Sequence, residues 1–192
     1  MVFHHSGVPK ERPFVNAPTT DNYWYAVRVT YSRELALKDY LDKAGIENFI
    51  PMRYEYVLKG GRRVRKLVPV VHNLVFVRTS RDFIDRLKVE TSLPIRYIMN
   101  KETNSPIIIP ERQMRNFIAV AGTNEEQLVY LEPSVIALHR GQRVRVTGGI
   151  FEGVEGEFIR VKNDRRVMVS IQGVMAVATT FIHPSFIEPI NE

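Results

Sequence analysis

The spacing of apolar residues divides the chain into three parts. Residues 1–21 contain three prolines and show no hydrophobic period, which predicts a flexible N-terminal arm. Residues 22–122 combine runs of β-forming residues with stretches of helical spacing. After a connection at 123–138, residues 139–190 alternate apolar and polar positions in short runs, as half-buried strands do. Two folded domains joined by a linker are therefore predicted.

The first predicted domain, residues 22–122, combines strands with helices. Strands are predicted at 23–29, 48–57, 68–77 and 95–99, and helices after Ser32, after Ser80 and from Pro110 to Gly122. The run at 68–77 is apolar at most positions, so we expect a central strand that is covered on both faces. The order strand, helix, strand, strand, helix, strand is typical of a split βαβ sandwich, an α+β fold, here with one helix added.

The second predicted domain changes to a period of two. Val144 and Val146 alternate with polar neighbours, and Val167 and Val169 do the same. Short strands separated by turns over about 50 residues are typical of a small β-barrel. We therefore expect residues 139–190 to form such a barrel.

The charge balance of the chain is weakly basic. Of the 192 residues, 27 are Lys or Arg and 21 are Asp or Glu, which gives a net charge of +6 and a pI of about 9.6. Most of the excess lies in residues 53–66, which contain six basic residues and one acidic residue around Gly60-Gly61. This segment is predicted to be an extended loop or hairpin tip, which is either simply solvated or a site for nucleic-acid phosphates. The candidate backbone contacts are Lys59, Arg62, Arg63, Arg65 and Lys66.

Several kinds of chemistry have no support in the sequence. The absence of cysteine excludes disulfides, thiol catalysis and cysteine-ligated zinc. The five histidines lack the HExxH spacing, and no phosphate-binding loop or nucleophile elbow is present, so we expect no metal site, no cofactor and no enzymatic activity. No apolar run approaches the roughly 18 residues of a membrane span, and the N-terminus lacks a signal core. A cytoplasmic protein without membrane contact is therefore expected.

A glycine-rich motif in the second domain carries a family resemblance. Residues 141–161 read GQRVRVTGGIFEGVEGEFIRV, which predicts a strand, a turn at Gly148-Gly149 and a second strand. By itself, this pattern also fits an ordinary tight hairpin. Its spacing resembles the KOW motif of NusG-type transcription elongation factors and of certain ribosomal proteins, with Gly156 in the place of the signature glycine. The motif positions are Gly141, Val144, Val146, Gly149, Phe151, Gly153 and Gly156.

The first domain resembles the N-terminal (NGN) domain of the NusG family. Trp24-Tyr25 opens the first strand, Pro51 lies in the second, and HNLVFVR at 72–78 follows a basic, glycine-containing loop. The resemblance extends over about residues 23–190, with both domains in the family's order. It implies a ferredoxin-like NGN domain followed by a small SH3-like KOW β-barrel.

The resemblance also implies a binding site for RNA polymerase. In the family, an apolar depression on one face of the N-terminal sheet docks on the clamp helices of the polymerase. The best matches here are Leu74, Phe76 and Tyr97, and we expect them to be partly exposed on one face near Tyr25. Leu74 stands where most members carry an aromatic residue. This departure and the long N-terminal arm resemble specialised paralogues that act on few operons.

By this resemblance, we expect a transcription elongation regulator. It would bind RNA polymerase, suppress pausing or termination, and contact DNA or RNA near the elongation complex, on long polysaccharide or surface-glycan operons. The KOW domain would bind termination factor Rho or a small-subunit ribosomal protein. The alternative is a ribosome- or RNA-associated protein that shares only the KOW domain. The N-terminal domain favours the first interpretation, because ribosomal KOW proteins lack it.

The state of the second domain is a separate expectation. In some specialised paralogues, this region folds as a helical hairpin against the first domain and hides the polymerase site. Here the alternation at Val144 and Val146 and the β-branched content favour strands. We therefore expect an open β-barrel in the free protein.

Overall fold

The structure is a computed structural model that describes residues 22–100, 102–136, 141–161 and 163–190. The predicted arm at 1–21 lies outside the described residues. The elements of the first domain are β1 (Tyr23–Val29), α1 (Glu34–Lys43), β2 (Glu47–Phe49), β3 (Met52–Lys59), β4 (Arg62–Pro69), β5 (Leu74–Thr79), α2 (Arg81–Glu90), β6 (Ile95–Tyr97), β7 (Met99–Asn100), β8 (Ser105–Pro106), β9 (Ile108–Ile109) and α3 (Glu111–Ala121). They are followed by β10 (Val129–Leu131), α4 (Pro133–Ile136), β11 (Arg143–Val146), β12 (Glu155–Val161), β13 (Asp164–Ile171), β14 (Met175–Ala178), a 3-10 turn (Pro184–Phe186) and β15 (Ile187–Pro189).

The first domain is built on an antiparallel sheet with β5 and β1 at its centre. The strand order is β2-β5-β1-β6, and β9 pairs with β1 beside β6. Helices α1 and α2 cover one face, on which Val75 and Val77 are buried, and α3 covers the other, on which Leu74 and Phe76 are buried. The predicted α+β architecture is confirmed, and β5 is the expected central strand covered on both faces. The predicted range of 68–77 is too long, because β4 ends at Pro69 and the chain turns before β5 begins at Leu74.

The helix ends follow the sequence signals except at Ser32. The Ser80 hydroxyl accepts a hydrogen bond from the Phe83 N–H at 3.3 Å, and Gly122 follows the last residue of α3, both as predicted. The predicted cap at Ser32 is wrong. Ser32 lies in a turn with a φ of 52°, its N–H donates to the Asn73 side chain, and α1 begins after Arg33. A residue in this left-handed conformation cannot take the extended geometry of an N-cap.

The strand predicted at 48–57 is divided in two. It breaks at Pro51, whose carbonyl accepts a hydrogen bond from the Val70 N–H at 2.9 Å. From there the chain leaves the main sheet, and β3 and β4 form a separate two-stranded hairpin. Proline lacks the N–H that would continue the ladder, which explains why the first strand ends there.

Within the described residues, the second domain is a six-stranded antiparallel sheet in the order β10-β14-β13-β12-β11-β15. Successive residues of β13 contribute to different apolar clusters, since Val167 and Val169 belong to one and Met168 to another. The predicted strand-rich second domain is confirmed. Residues 129–131, inside the predicted linker, form an edge strand of this sheet. The exact limits of the two domains stay a prediction.

Helix α3 connects the two domains through a shared core. On one side, the Phe117 ring packs against the Phe76 ring, with centroids 5.5 Å apart. On the other side, α3 contacts β13 and β14, so one buried apolar cluster includes both Leu74 and Val169. The second domain forms strands and not a helical hairpin, as expected, but the expectation that it is open is wrong, because it packs on α3. The buried residues of α3 include Val120 as well as Phe117, and the packing of the second domain on this helix removes apolar surface from water.

Within the described residues, no helix is long and apolar enough to cross a membrane. The same part of the chain contains no group of three or more histidine, aspartate or glutamate side chains that could hold a metal ion. Three of the five histidines, His4, His5 and His139, lie outside the described residues.

Candidate functional site

Two of the four predicted polymerase contacts, Leu74 and Phe76, are buried on β5. Their exposed fractions are 1% and 0%, so the expectation of partial exposure is wrong. Strand residues two apart share a face, and both side chains pack in the cluster with α3. Phe117 of α3 packs on Phe76 and also meets the edge of the Phe49 ring, with centroids 6.2 Å apart. The helix thus covers the face that the sequence predicts to be open.

The other two predicted contacts, Tyr25 and Tyr97, lie on the opposite face of the same sheet. Tyr25 is paired with Val77 across β1 and β5, and Tyr97 is paired with Val27. Both tyrosines belong to the cluster under α1 and α2, where the Tyr97 hydroxyl donates to the Ile84 carbonyl. Burial raises the pKa of each phenol above its ordinary value of 10. The four residues therefore do not form one docking patch, which corrects the predicted site.

A cluster of arginines around Glu155 lies where the two domains meet. One carboxylate oxygen of Glu155 accepts hydrogen bonds from Arg145 of β11, the shorter at 2.7 Å. The other oxygen lies 3.6 Å from Arg112 of α3 and 3.8 Å from Arg143. The Asn116 side chain of α3 accepts a hydrogen bond from the Glu155 N–H at 3.2 Å. Polar contacts around one largely buried carboxylate thus hold α3 against the second domain.

This cluster predicts how stability depends on pH. The hydrogen bond from Arg145 holds the pKa of the Glu155 carboxyl below its ordinary value of 4.5, and the charges of Arg112 and Arg143 add to this against the opposing effect of burial. Because the folded protein takes up this proton less readily than the unfolded chain, the stabilisation is present above pH 4.5 and is lost as the pH falls through the lowered pKa. We expect Glu155→Gln to lower the free energy of unfolding at neutral pH, and the deficit to shrink in acid.

Urea unfolding at a series of pH values measures this deficit. Glu152→Gln is the matched control, because Glu152 is exposed on the connection before β12 and its replacement should change stability little at any pH. If the loss of stability in Glu155→Gln stays constant from neutral pH to well below the ordinary glutamate pKa, the Glu155 carboxyl does not have a lowered pKa in the folded protein.

The basic segment is a two-stranded hairpin. β3 and β4 pair from Met52↔Pro69 to Lys59↔Arg62. Gly60 and Gly61 form the turn with φ values of 58° and 77°, as a two-residue hairpin turn of the favoured hand requires. The structure therefore brings the predicted nucleic-acid contacts together on one exposed ribbon. They are Lys59, Arg62, Arg63, Arg65 and Lys66.

Only one of these five cations has a carboxylate partner within the described part of the chain. Arg65 forms an ion pair with Glu126 at 2.8 Å, which connects the hairpin to the segment after α3. The Arg65 guanidinium also lies over the Tyr54 ring, 3.8 Å from its centroid. The remaining four charges are available to phosphates.

The predicted KOW residues lie together around β11 and the start of β12. Val144, Val146 and Phe151 are buried, and Gly149 and Gly153 belong to the connection between the strands. Gly156 is paired with Val144, and a Cβ on it would lie 2.4 Å from the Met168 carbonyl oxygen. A Cβ on Gly141 would lie 2.0 Å from the Phe158 carbonyl oxygen. Close approach of neighbouring strands thus requires glycine at both positions.

A comparison with protein families agrees with this architecture. The family model described as NusG, transcription termination factor nusG, matches residues 22–118, which is half of the chain and nearly all of the first domain. The chain belongs to the NusG family. NusG-family proteins are non-enzymatic transcription factors that bind RNA polymerase and act in elongation or termination.

The chain is also similar to a solved structure of Thermotoga maritima NusG, which is described as showing domain interaction in that protein. The two are 21% identical, the match covers 90% of this chain and 99% of that chain, and the TM-score is 0.44. No curated protein matches the chain. Its place in the NusG family therefore rests on the family match over the first domain.

Two sets of residues in this NusG-family chain are missed by sequence reasoning. Arg112 and Asn116 approach Glu155 only because α3 packs on the second domain, and Asn116 lies 39 residues from Glu155 in sequence. No local sequence pattern predicts such a contact. Tyr54 and Tyr56 on β3 are different, because their spacing of two in a basic, exposed segment is a readable signal for one side of a hairpin.

Proposed function

We propose that this chain is a specialised transcription elongation regulator that binds RNA polymerase through its first domain. The observation that carries the proposal is the family match over residues 22–118, the domain to which the resemblance assigns polymerase binding. Bound there, the protein suppresses pausing or termination in the cytoplasm. The resemblance to specialised paralogues supports long polysaccharide or surface-glycan operons as its targets.

The proposed contact with the polymerase clamp helices lies on the α3 side of the first domain. Leu74 and Phe76 are buried beneath α3 on this side, and Ile107 and Ile118 are partly buried against the same apolar cluster. The second domain lies over the same area, since a Cβ on Gly173 would be 3.5 Å from the Ile107 Cδ1. Polymerase binding to this area therefore requires the second domain to move away.

A transcription assay with purified polymerase tests the proposed activity. The template carries a strong pause site and a terminator downstream of the promoter. Adding the protein is expected to shorten the pause or to increase read-through of the terminator. Unchanged pausing together with unchanged termination would contradict the proposal.

The basic hairpin is proposed to contact DNA or RNA phosphates close to the polymerase. Replacing Arg62, Arg63, Arg65 and Lys66 with glutamine should leave the fold intact, because the hairpin is exposed and separate from the main sheet. The variant should bind a nucleic-acid scaffold more weakly, and the slope of log K against log salt should fall by about 0.7 to 0.9 for each lost phosphate contact.

The matched control for this variant removes the same number of charges elsewhere in the first domain. Its four positions are exposed and lie on α1, α2 and β6: Lys43, Arg86, Lys88 and Arg96. This control should keep most of the affinity and the salt slope. If the hairpin variant shows an unchanged slope of log K against log salt, the hairpin is exposed to solvent but does not contact phosphates.

The second domain is proposed to bind a further partner, either termination factor Rho or a small-subunit ribosomal protein. The alternative function, a ribosome- or RNA-associated KOW-domain protein, predicts binding to ribosomal subunits instead of polymerase. The first domain argues against that alternative, because its family is one of polymerase-binding factors.

A further inference from the structure

We propose that one side of the β3–β4 hairpin stacks the unpaired bases of a single-stranded nucleic acid. This inference rests on the proposed role of the basic hairpin in nucleic-acid binding, and it adds a base-binding surface to that role. The surface, called the stacking face below, consists of Tyr54, Tyr56, Leu58, Arg63 and Arg65.

The register of the hairpin places these side chains on one side. Residues two apart in a strand point the same way, so Tyr54, Tyr56 and Leu58 form a row along β3. Across the hairpin, Tyr56 is paired with Arg65 and Leu58 with Arg63. Cross-strand partners share a face, so two guanidinium groups lie beside the apolar row. The contact between Arg65 and the Tyr54 ring agrees with this placement.

The row is unusually exposed for apolar side chains. The exposed fractions are 40% for Tyr54, 70% for Tyr56 and 76% for Leu58. The hairpin is not part of the main sheet of the first domain, so these side chains have no role in the core of that sheet. Exposed apolar side chains grouped in this way indicate an interaction surface.

The charge of the hairpin indicates the kind of partner. Residues 53–66 contain six basic residues and one acidic residue, so the partner must be strongly anionic. It must also offer flat apolar groups to the tyrosine row. A nucleic acid supplies one phosphate with every base, whereas an acidic peptide has no comparable regular pairing of charge and ring. Charge complementarity therefore favours a nucleic acid over a protein.

The spacing of the rings favours a single strand over a duplex. Tyr54 and Tyr56 are separated by about 6.6 Å along the strand, twice the rise of about 3.4 Å between stacked bases in a duplex. Bases inside a duplex stack on each other and present no free face, while unpaired bases can stack on aromatic side chains or on guanidinium planes. Arg65 lies 3.8 Å from the Tyr54 ring centroid and covers one face of that ring, so on this face a base would stack on the guanidinium plane, which is half exposed.

Fluorescence anisotropy with the full chain tests the stacking face. The probes are labelled 12-nucleotide oligonucleotides of one mixed sequence, as single-stranded DNA, single-stranded RNA and duplex DNA. The variant Tyr54→Leu with Tyr56→Leu keeps an apolar row but removes both rings. We expect its Kd for the better-bound single strand to rise about tenfold or more, with an unchanged salt slope, because stacking and not phosphate contact is lost.

The matched control replaces two tyrosines outside the hairpin, Tyr23→Leu with Tyr31→Leu, whose exposed fractions are 42% and 81%. It should bind like the unmodified protein. The single-stranded probe with the lower Kd shows whether the protein prefers DNA or RNA, and either preference agrees with the proposal.

The results separate the failure of this inference from the failure of the basic-hairpin proposal. If Arg62→Gln with Lys66→Gln, on the other side of the hairpin, weakens binding but the double tyrosine variant does not, the stacking face is overturned and the phosphate role stands. If neither variant weakens binding, both proposals fail. An equal loss of duplex binding in the tyrosine variant would also overturn the inference, because the hairpin would then enter a groove.

A crosslinking measurement gives a second, independent result. Single-stranded probes that carry 5-iodouracil at alternate positions are irradiated in complex with the unmodified protein, and the crosslinked peptides are identified by mass spectrometry. Crosslinks to Tyr54 or Tyr56 are expected. Crosslinks confined to residues outside 52–69 would overturn the inference.

Discussion

Replacing Leu74 and Phe76 together with asparagine is expected to unfold the first domain. Both side chains are completely or almost completely buried, and Phe76 packs against the Phe117 ring of α3. Each truncation costs about 2–5 kcal/mol for the lost apolar contacts. Each buried amide left without hydrogen-bond partners costs about 1–3 kcal/mol more. The sum is of the same size as the entire stability of an ordinary domain, which is about 5–15 kcal/mol.

Circular dichroism and urea unfolding measure this loss. The matched control is Tyr56→Asn with Leu58→Asn, which changes two apolar residues with the same spacing on an exposed strand of the hairpin. The control should retain the unmodified spectrum and a similar midpoint. A double variant at 74 and 76 that folds with near-native stability would show that this face is open, as the sequence alone predicts.

Replacing Arg166 with methionine is expected to destabilise the protein by about 3 kcal/mol. Arg166 is 8% exposed, and its guanidinium donates to the Thr179 carbonyl at 2.7 Å and to the Gln127 carbonyl at 2.6 Å. Gln127 lies just before β10, and Thr179 lies just after β14. The Arg166 side chain therefore links the segment between the domains to β13 and the end of β14. Methionine keeps the apolar stem but leaves both carbonyl groups without this donor.

The neighbouring Arg165 supplies the control for this variant. Arg165 is exposed, so Arg165→Met should change the free energy of unfolding by no more than about 0.5 kcal/mol. Chemical unfolding of the three proteins at neutral pH makes the comparison. Equal effects of the two substitutions would mean that the hydrogen bonds of Arg166 contribute nothing specific to the stability.

The elements of the fold were largely predictable because local chemistry determines them. The apolar run at 68–77 predicts a strand covered on both faces, which β5 forms from Leu74 onward, and Ser80 and Gly122 mark helix ends that the structure contains. Prediction failed where distant contacts decide the conformation. Ser32 lies in a left-handed turn that the Asn73 side chain stabilises, 41 residues away in sequence.

The predicted polymerase contacts show the limit of sequence reasoning more sharply. Alternation along a strand indicates that Leu74 and Phe76 share a face, which is correct. It does not indicate which layer covers that face. The apolar pattern of α3 is visible in the sequence, but the shared core with the second domain appears only in the packed structure. Residues that look like an open docking patch are therefore internal.

The central claim is that the protein binds RNA polymerase. Size-exclusion chromatography of the purified full chain, mixed in turn with core RNA polymerase and with small ribosomal subunits, tests it directly. We predict co-elution with the polymerase, whether or not the second domain also binds a small-subunit ribosomal protein. Co-elution with the ribosomal subunits alone would contradict the account.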